Sequence, residues 1–119
     1  MSAETELYAV LAAAAGLTAL VSTRIYPDAI PEDSALPAVV YSRASTDPVL
    51  SVSGQKFAET ARFQITAWDK TRTSSAAVAD QVQAALIAAW QPAINRSSAF
   101  DGEMGLFATT LDSDWFTVS

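Results

Sequence analysis

The chain has no cysteine and no histidine. The first absence excludes disulfides, thiolate metal sites and cysteine nucleophiles. The second removes the commonest general base and the commonest transition-metal ligand. A Ser-His-Asp triad and an ordinary zinc site are both ruled out. Glycine is scarce: Gly16, Gly54, Gly102 and Gly105 are the whole set, none at the spacing of a phosphate-binding loop. Basic charge is scarce too, with 7 Lys and Arg against 13 Asp and Glu, for a net charge of −6. Such a chain does not neutralise phosphates, which argues against sequence-specific DNA binding. The inventory leads us to expect no catalytic residues, no metal ligands and no cofactor.

Long hydrophobic runs are missing as well. Leu7 to Val21 is uncharged but too short for a bilayer core, which needs about 20 residues. It is mostly alanine, broken by Gly16 and Thr18, and Glu4 and Glu6 precede it where a secretory signal carries Lys or Arg. We therefore expect a protein made in the cytoplasm, without a membrane anchor. Asn95-Arg96-Ser97 fits a glycosylation acceptor, but without secretion the match carries no meaning.

What is present suits one domain over residues 1–119, half of them hydrophobic. A chain this long buries roughly two-thirds of its unfolded surface. The charge is split along it. Residues 1–33 sum to −4, residues 34–98 to +2 and residues 99–119 to −4. Ordinary surface variation explains such a split; a sharper reading sets the acidic ends against the basic middle of another copy.

Ser2 is placed to cap a first helix, with Glu4 and Glu6 in the turn where the helix dipole favours negative charge. Leu7, Val10, Leu11 and Ala14 follow the spacing of one buried stripe, and Gly16 is placed to end the helix. A short helical turn is expected next, through Leu17–Val21. Pro27, Pro31 and Pro37, with acidic residues between them, mark an irregular connector. Val39, Val40 and Tyr41 place a strand over Ala38–Ser45. Ala61–Trp68 is the clearest strand, with Ala61, Phe63, Ile65 and Ala67 on one face. Between these strands, residues 46–60 read as an unusually long hairpin tip carrying Pro48 and Gly54. Thr73 or Ser74 caps a second helix running to about Trp90, with the stripe Val78, Val82, Ala85, Leu86 and Ala89, and Pro92 stops it. Ser97–Phe100 and Met104–Leu111 form a second hairpin around Asp101-Gly102, leaving the pairing near residues 92–103 open. Residues 112–119 extend the last strand or form a tail. The fold class is α+β in the order α-β-β-α-β-β: an antiparallel sheet of about four strands with two helices on one face.

Three constellations bear on chemistry. Ser53-Gly54-Gln55-Lys56 matches an S-x-x-K nucleophile pair, but it sits on a hairpin tip and the chain has no K-T-G or S-D-N. The carboxylate pairs Glu4/Glu6, Asp101/Glu103 and Asp112/Asp114 would suit glycoside hydrolysis or a hard cation, yet nothing beside them completes either site. Solvated surface charge is the plainer reading. Trp68, Trp90 and Trp115 read as core or interface aromatics rather than stacking platforms for nucleic acid, given the shortage of base.

Several phrases carry a family likeness. They are Glu6-Leu7-Tyr8 opening an alanine-rich helix, Arg24-Ile25-Tyr26-Pro27 before an acidic connector, and Leu36-Pro37-Ala38-Val39-Val40-Tyr41. Arg62-Phe63-Gln64-Ile65-Thr66-Ala67-Trp68, the second alanine-rich helix and the late hairpin with its acidic-aromatic tail complete the set. Over nearly its whole length the chain resembles the tail-completion, or tail-terminator, proteins of long-tailed bacteriophages, prophages and gene-transfer particles. The resemblance implies a structural virion protein of the tail or neck and no enzyme. It implies a ring, hexameric, that stops polymerisation of the tail tube and joins the head connector, with DNA passing unbound through the lumen. An acidic lumen suits that passage by repelling phosphates. Partners would be the chain itself, the tail tube protein and the connector or stopper protein. For interface residues we expect Val49, Leu50 and Val52 on the long tip, and Trp115 and Phe116 in the tail. The rival readings are another neck protein (a stopper or adaptor), a monomeric binding module, or a small carboxylate hydrolase.

Overall fold

In the computed structural model, which describes residues 3–31 and 35–118, eight elements build two layers: a five-stranded sheet and three helices packed on one of its faces. The Ser2 cap and the acidic residues Glu32 and Asp33 of the connector lie outside the described residues.

Helix α1 spans Ala3–Ala13 and buries Ala3, Leu7 and Leu11, one side chain per turn. Ala14, in extended conformation, ends it, and α2 (Ala15–Val21) starts there at 82° to α1. Gly16 therefore does not end the first helix. It lies in the first turn of α2, where a Cβ would overlap the tip of the Gln81 side chain. A bare backbone lets α2 approach the third helix closely. Among the described residues no single helix is long and apolar enough to cross a membrane; α1 and α2 pass by length and composition only as a bent pair, and their Leu7, Leu11, Leu17 and Val21 are fully buried.

Strand β1 is a three-residue piece, Ile25–Pro27, parallel to β2 through Ile25↔Val39, Tyr26↔Val40 and Pro27↔Tyr41. It adds a fifth strand where the sequence showed only a connector, because three residues are too few for an alternation to register. Strand β2 runs Ala38–Leu50 and β3 runs Lys56–Asp69, in antiparallel register out to Leu50↔Lys56. The long tip expected over residues 46–60 is thus mostly ladder, and only Ser51–Gln55 turns. A β-bulge between Arg43 and Ser45 leaves Ala44 unmatched. It breaks the period of two at the point where the sequence pattern ends the strand. Pro48 is tolerated beyond it because β2 has no second neighbour past β1, and an edge strand does not need that N–H.

Helix α3 covers Arg72–Ala88 and buries Val78, Val82, Ala85 and Leu86, the expected stripe. Its cap is Thr71 rather than Thr73 or Ser74: the Thr71 hydroxyl accepts from the Ser74 N–H at 3.1 Å. Strand β4 (Ala93–Asp101) and β5 (Leu106–Val118) pair from Asp101↔Leu106 to Ala93↔Ser113, with a bulge at Ala93/Asn95. Asp101 shapes the turn, its carboxylate accepting from the backbone of Glu103 and Met104, each at 3.0 Å. β5 pairs along β3 from Phe107↔Asp69 to Val118↔Ala58, so residues 112–118 are strand and not a loose tail.

The strand order is β1-β2-β3-β5-β4, antiparallel except for β1 against β2. The core lies between the helices and the inward residues Val39, Ala61, Phe63, Ile65, Leu111 and Trp115. It holds a polar pair: Ser75 Oγ reaches the Ala67 carbonyl and the Thr109 hydroxyl at 2.9 Å each. Both buried hydroxyls are thereby partnered.

Candidate interaction surfaces

The ends of β2, β3 and β5 carry the sheet past the Ala44 bulge as an arm, beside which Glu6 of α1 still accepts from the Thr117 hydroxyl at 3.1 Å; the described chain measures 51 × 29 × 23 Å along its principal axes. The arm ends in a turn closed by its own polar groups. The Ser51 N–H donates to the Gln55 carbonyl at 2.8 Å, and the Gly54 N–H to the Ser51 carbonyl at 2.9 Å. Gly54 takes φ +85, which glycine adopts without penalty. With its backbone satisfied, the tip shows its side chains to solvent. Val52 is fully exposed, Leu50 is 56% exposed and Val49 is half-buried. Below the tip, Lys56 Nζ donates to Glu59 at 2.8 Å. That bond holds the Glu59 carboxyl below its ordinary pKa.

The same geometry dissolves the S-x-x-K pattern. Ser53 Oγ shares a hydrogen bond with Ser51 Oγ at 2.9 Å, while the Lys56 ammonium serves Glu59. The carboxylate pair of β5 is divided as well. Asp114 takes a two-point bond from Arg62 (2.9 and 3.3 Å), and Asp112 accepts from Asn95 at 3.3 Å. The bond to Asp114 raises the Arg62 pKa. Among the described residues no three His, Cys, Asp or Glu side chains gather where a metal ion could sit.

Charge complementarity between the acidic ends and the basic middle is met inside the chain. Glu4 reaches Arg43 at 3.2 Å, and Asp114 reaches Arg62. The Arg43 guanidinium also lies 5.6 Å from the centre of the Phe63 ring. The charge split seen in the sequence therefore needs no second copy to account for it.

The two aromatic tail residues part company. Trp115 faces inward opposite Ala61 and is 3% exposed, so its ring is spent in the chain's own core. Phe116 faces outward at 45% exposed. Its backbone is held by the Gln91 side chain, which donates to the Phe116 carbonyl and accepts from its N–H, both at 3.2 Å. Trp90, read from the sequence as a core or interface aromatic but not named among the interface residues, is 90% exposed just beyond α3 with φ +62. Ile87 and Ile94, each 56% exposed, flank it in the chain. Spacing alone does not reveal it, since Trp90 stands four residues after Leu86 at the i+4 step of the α3 stripe; the one signal in the sequence is Pro92, two residues on, which ends the helix before that step is completed.

On the helix-free face, residues 28–31 and Leu36 border an open groove of about 730 Å³ with Val40, Trp68, Met104 and Leu106 in its walls. Asp28 and Asp101 stand on it as well.

The family profile described as tail completion protein gp17 matches residues 5–117. The chain belongs to that family. A chain from the structure described as the virion of a native gene transfer agent (GTA) particle shares the fold, with a TM-score of 0.70 and 20% identity. That match covers 95% of this chain and 92% of the other. No curated protein matches. As a tail completion protein, the chain is a structural component of a phage-type virion, located in its tail or neck. The arm, the Trp90 corner and the groove are the surfaces that the two-layer fold leaves open.

Proposed function

We propose that this tail completion protein acts as a tail terminator. Copies join into a ring, six to a ring, that caps the tail tube, ends its polymerisation and offers its far side to the head connector. DNA passes through the ring without being bound, in keeping with the net charge of −6. Family membership over residues 5–117 supports the reading. The observation that carries it is the arm: a stiff ladder that holds Leu50 and Val52 in solvent, away from the core they would otherwise join. Apolar side chains displayed in this way gain from a protein partner. Val49, Leu50, Val52 and Phe116 are the interface residues of the proposal, with Trp90 added. Trp115 is left to the core.

Sedimentation of the purified chain, alone and with tail tubes, tests this. A species of six times the 12.6 kDa chain mass is expected, bound at tube ends in micrographs. Deletion of residues 48–56 should abolish both. A chain that remains monomeric beside tubes, or that captures a portal-side protein and no tube protein, refutes the terminator role.

A further inference from the structure

Strand β4 forms one side of the sheet, and its outer edge is open. Every residue from Ile94 to Phe100 is exposed. Beyond the ladder with β5, the backbone bonds of β4 are confined to its ends. The Ala93 N–H donates to the Gln83 side chain at 3.2 Å, and the Asp101 carbonyl accepts from the Gly105 N–H at 2.8 Å. Between them every second residue turns an N–H and a C=O to solvent. Such a row is a template for one kind of partner, an extended strand.

The other open edges of the sheet are guarded. β1 is three residues long and ends in Pro27. Past Tyr41, β2 carries Arg43, Asp47, the Ala44 bulge and Pro48. Past Ser113, β5 has the Phe116 N–H and C=O occupied by the Gln91 side chain. β4 has no such guard from Asn95 to Asp101: no proline, and a register without shifts. Both of its charges are engaged inside the chain. The Arg96 guanidinium donates to Asp80 at 2.7 Å and to the Ala76 carbonyl at 3.3 Å, and the Asp101 carboxylate holds the turn.

This regular stretch is complementary to itself. Laid antiparallel on its own copy about Ser98, it sets Asn95 opposite Asp101, Arg96 opposite Phe100, Ser97 opposite Ala99 and Ser98 opposite Ser98. An amide meets a carboxylate, the Arg96 side chain meets the exposed Phe100 ring, and no like charges face each other. Centring on Ser97 instead would draw in the shift at Ala93/Asn95, and centring on Arg96 would oppose two guanidinium groups. Arg96, Ser98 and Phe100 pair with Leu111, Thr109 and Phe107, and Leu111 and Thr109 face the helices. Opposed residues share a face, so the helices of both copies fall on the same side of the joined sheet.

We infer that β4 is a pairing edge for β4 of a second copy, joining two sheets into one across a two-fold axis at Ser98. The contact uses the same surface on both copies, so it closes at two and is separate from the heterologous contact that builds a ring. It does not rest on the ring reading. A seam of two strands is smaller than the interfaces of about 1,600 Å² that hold permanent complexes, so pairing is expected at high protein concentration.

The absence of native cysteine gives the test a clean background. Ser98→Cys and Ile94→Cys are compared in the full chain. Both positions are exposed, and an unchanged thermal transition under reducing conditions confirms that the variants fold. On mild oxidation Ser98→Cys is expected to give a covalent dimer of twice the 12.6 kDa chain mass. Ile94→Cys is expected to give none, since the seam holds the two Ile94 positions roughly 25 Å apart at the rise of an extended strand. Ser98→Lys opposes two ammonium groups on the axis and should weaken pairing by about tenfold in sedimentation, while a ring, where formed, persists. No dimer from Ser98→Cys, or equal cross-linking of both variants, overturns the pairing. Loss of tail-tube binding in Ser98→Lys without a Ser98→Cys dimer assigns the edge to another protein's strand and overturns the second copy as its occupant.

Discussion

Replacing Trp115 and Trp90 by alanine, one at a time, separates a core aromatic from a surface one. Trp115 is 3% exposed and belongs to the main hydrophobic cluster with Phe63, Leu7 and Leu111. Truncating a buried aromatic to alanine costs about 3–5 kcal/mol, the lost transfer energy plus the cavity left behind. In a domain of this size, each kcal/mol moves the melting temperature by a few degrees, so Trp115→Ala should lower it by on the order of 10 °C or more. Trp90 is 90% exposed, and its loss should stay within about 0.5 kcal/mol. The order reverses for assembly. Trp90→Ala should weaken association, since exposed tryptophans at interfaces are frequent anchors. The assays are urea denaturation below the concentration at which copies associate, then sedimentation above it. Keeping the two regimes apart matters because association itself raises apparent stability. The reasoning fails if Trp115→Ala melts like the parent chain, or if Trp90→Ala unfolds while Trp115→Ala merely dissociates.

Three further outcomes are expected. Ser75→Ala removes the hydroxyl that joins Ala67 and Thr109 and strands the buried Thr109 side chain, at a cost of about 1–3 kcal/mol in urea denaturation. Thr71→Ala deletes the α3 cap and should lower stability by about 1 kcal/mol, while Thr71→Ser restores most of it. Glu59 has its carboxyl pKa lowered from 4.5 by the Lys56 hydrogen bond; what that pair contributes is complete at neutral pH and is lost as pH falls past 4.5 and through the lowered value. A carbon-detected titration of Glu59 should show a midpoint below 4.5, returning toward it in Lys56→Met.

The helices and β3 are legible in the sequence because each obeys a single period. Ala61, Phe63, Ile65 and Ala67 alternate without a break, and Val78, Val82, Ala85 and Leu86 recur at helical spacing. The arm is hidden by two residues that usually end strands. Ala44 interrupts the alternation as a bulge, and Pro48 reads as a turn unless one knows that β2 is an edge there. The stretch 46–60 stands out as unusual, and Val49, Leu50 and Val52 as odd for a loop, but their support by a ladder is a matter of pairing, which one strand cannot reveal. Gly16 reads as a stop because glycine often is one; its actual position answers to Gln81, 65 positions away in the sequence. Trp115 and Trp90 exchange their expected weights for a similar reason. Which of two aromatics enters the core depends on strand register, and the acidic neighbours Asp112 and Asp114 do not fix the phase of β5.

The unmatched Ala44 has a mechanical consequence. Bulges bend and tighten the twist of the strand that holds them. About 20 Å of ladder separates this one from Leu50, at the rise of an extended strand. Any change of angle at Ala44 is magnified at the far end like the swing of an oar from its pivot. One alanine that pairs with nothing therefore sets the direction in which Leu50 and Val52 are aimed.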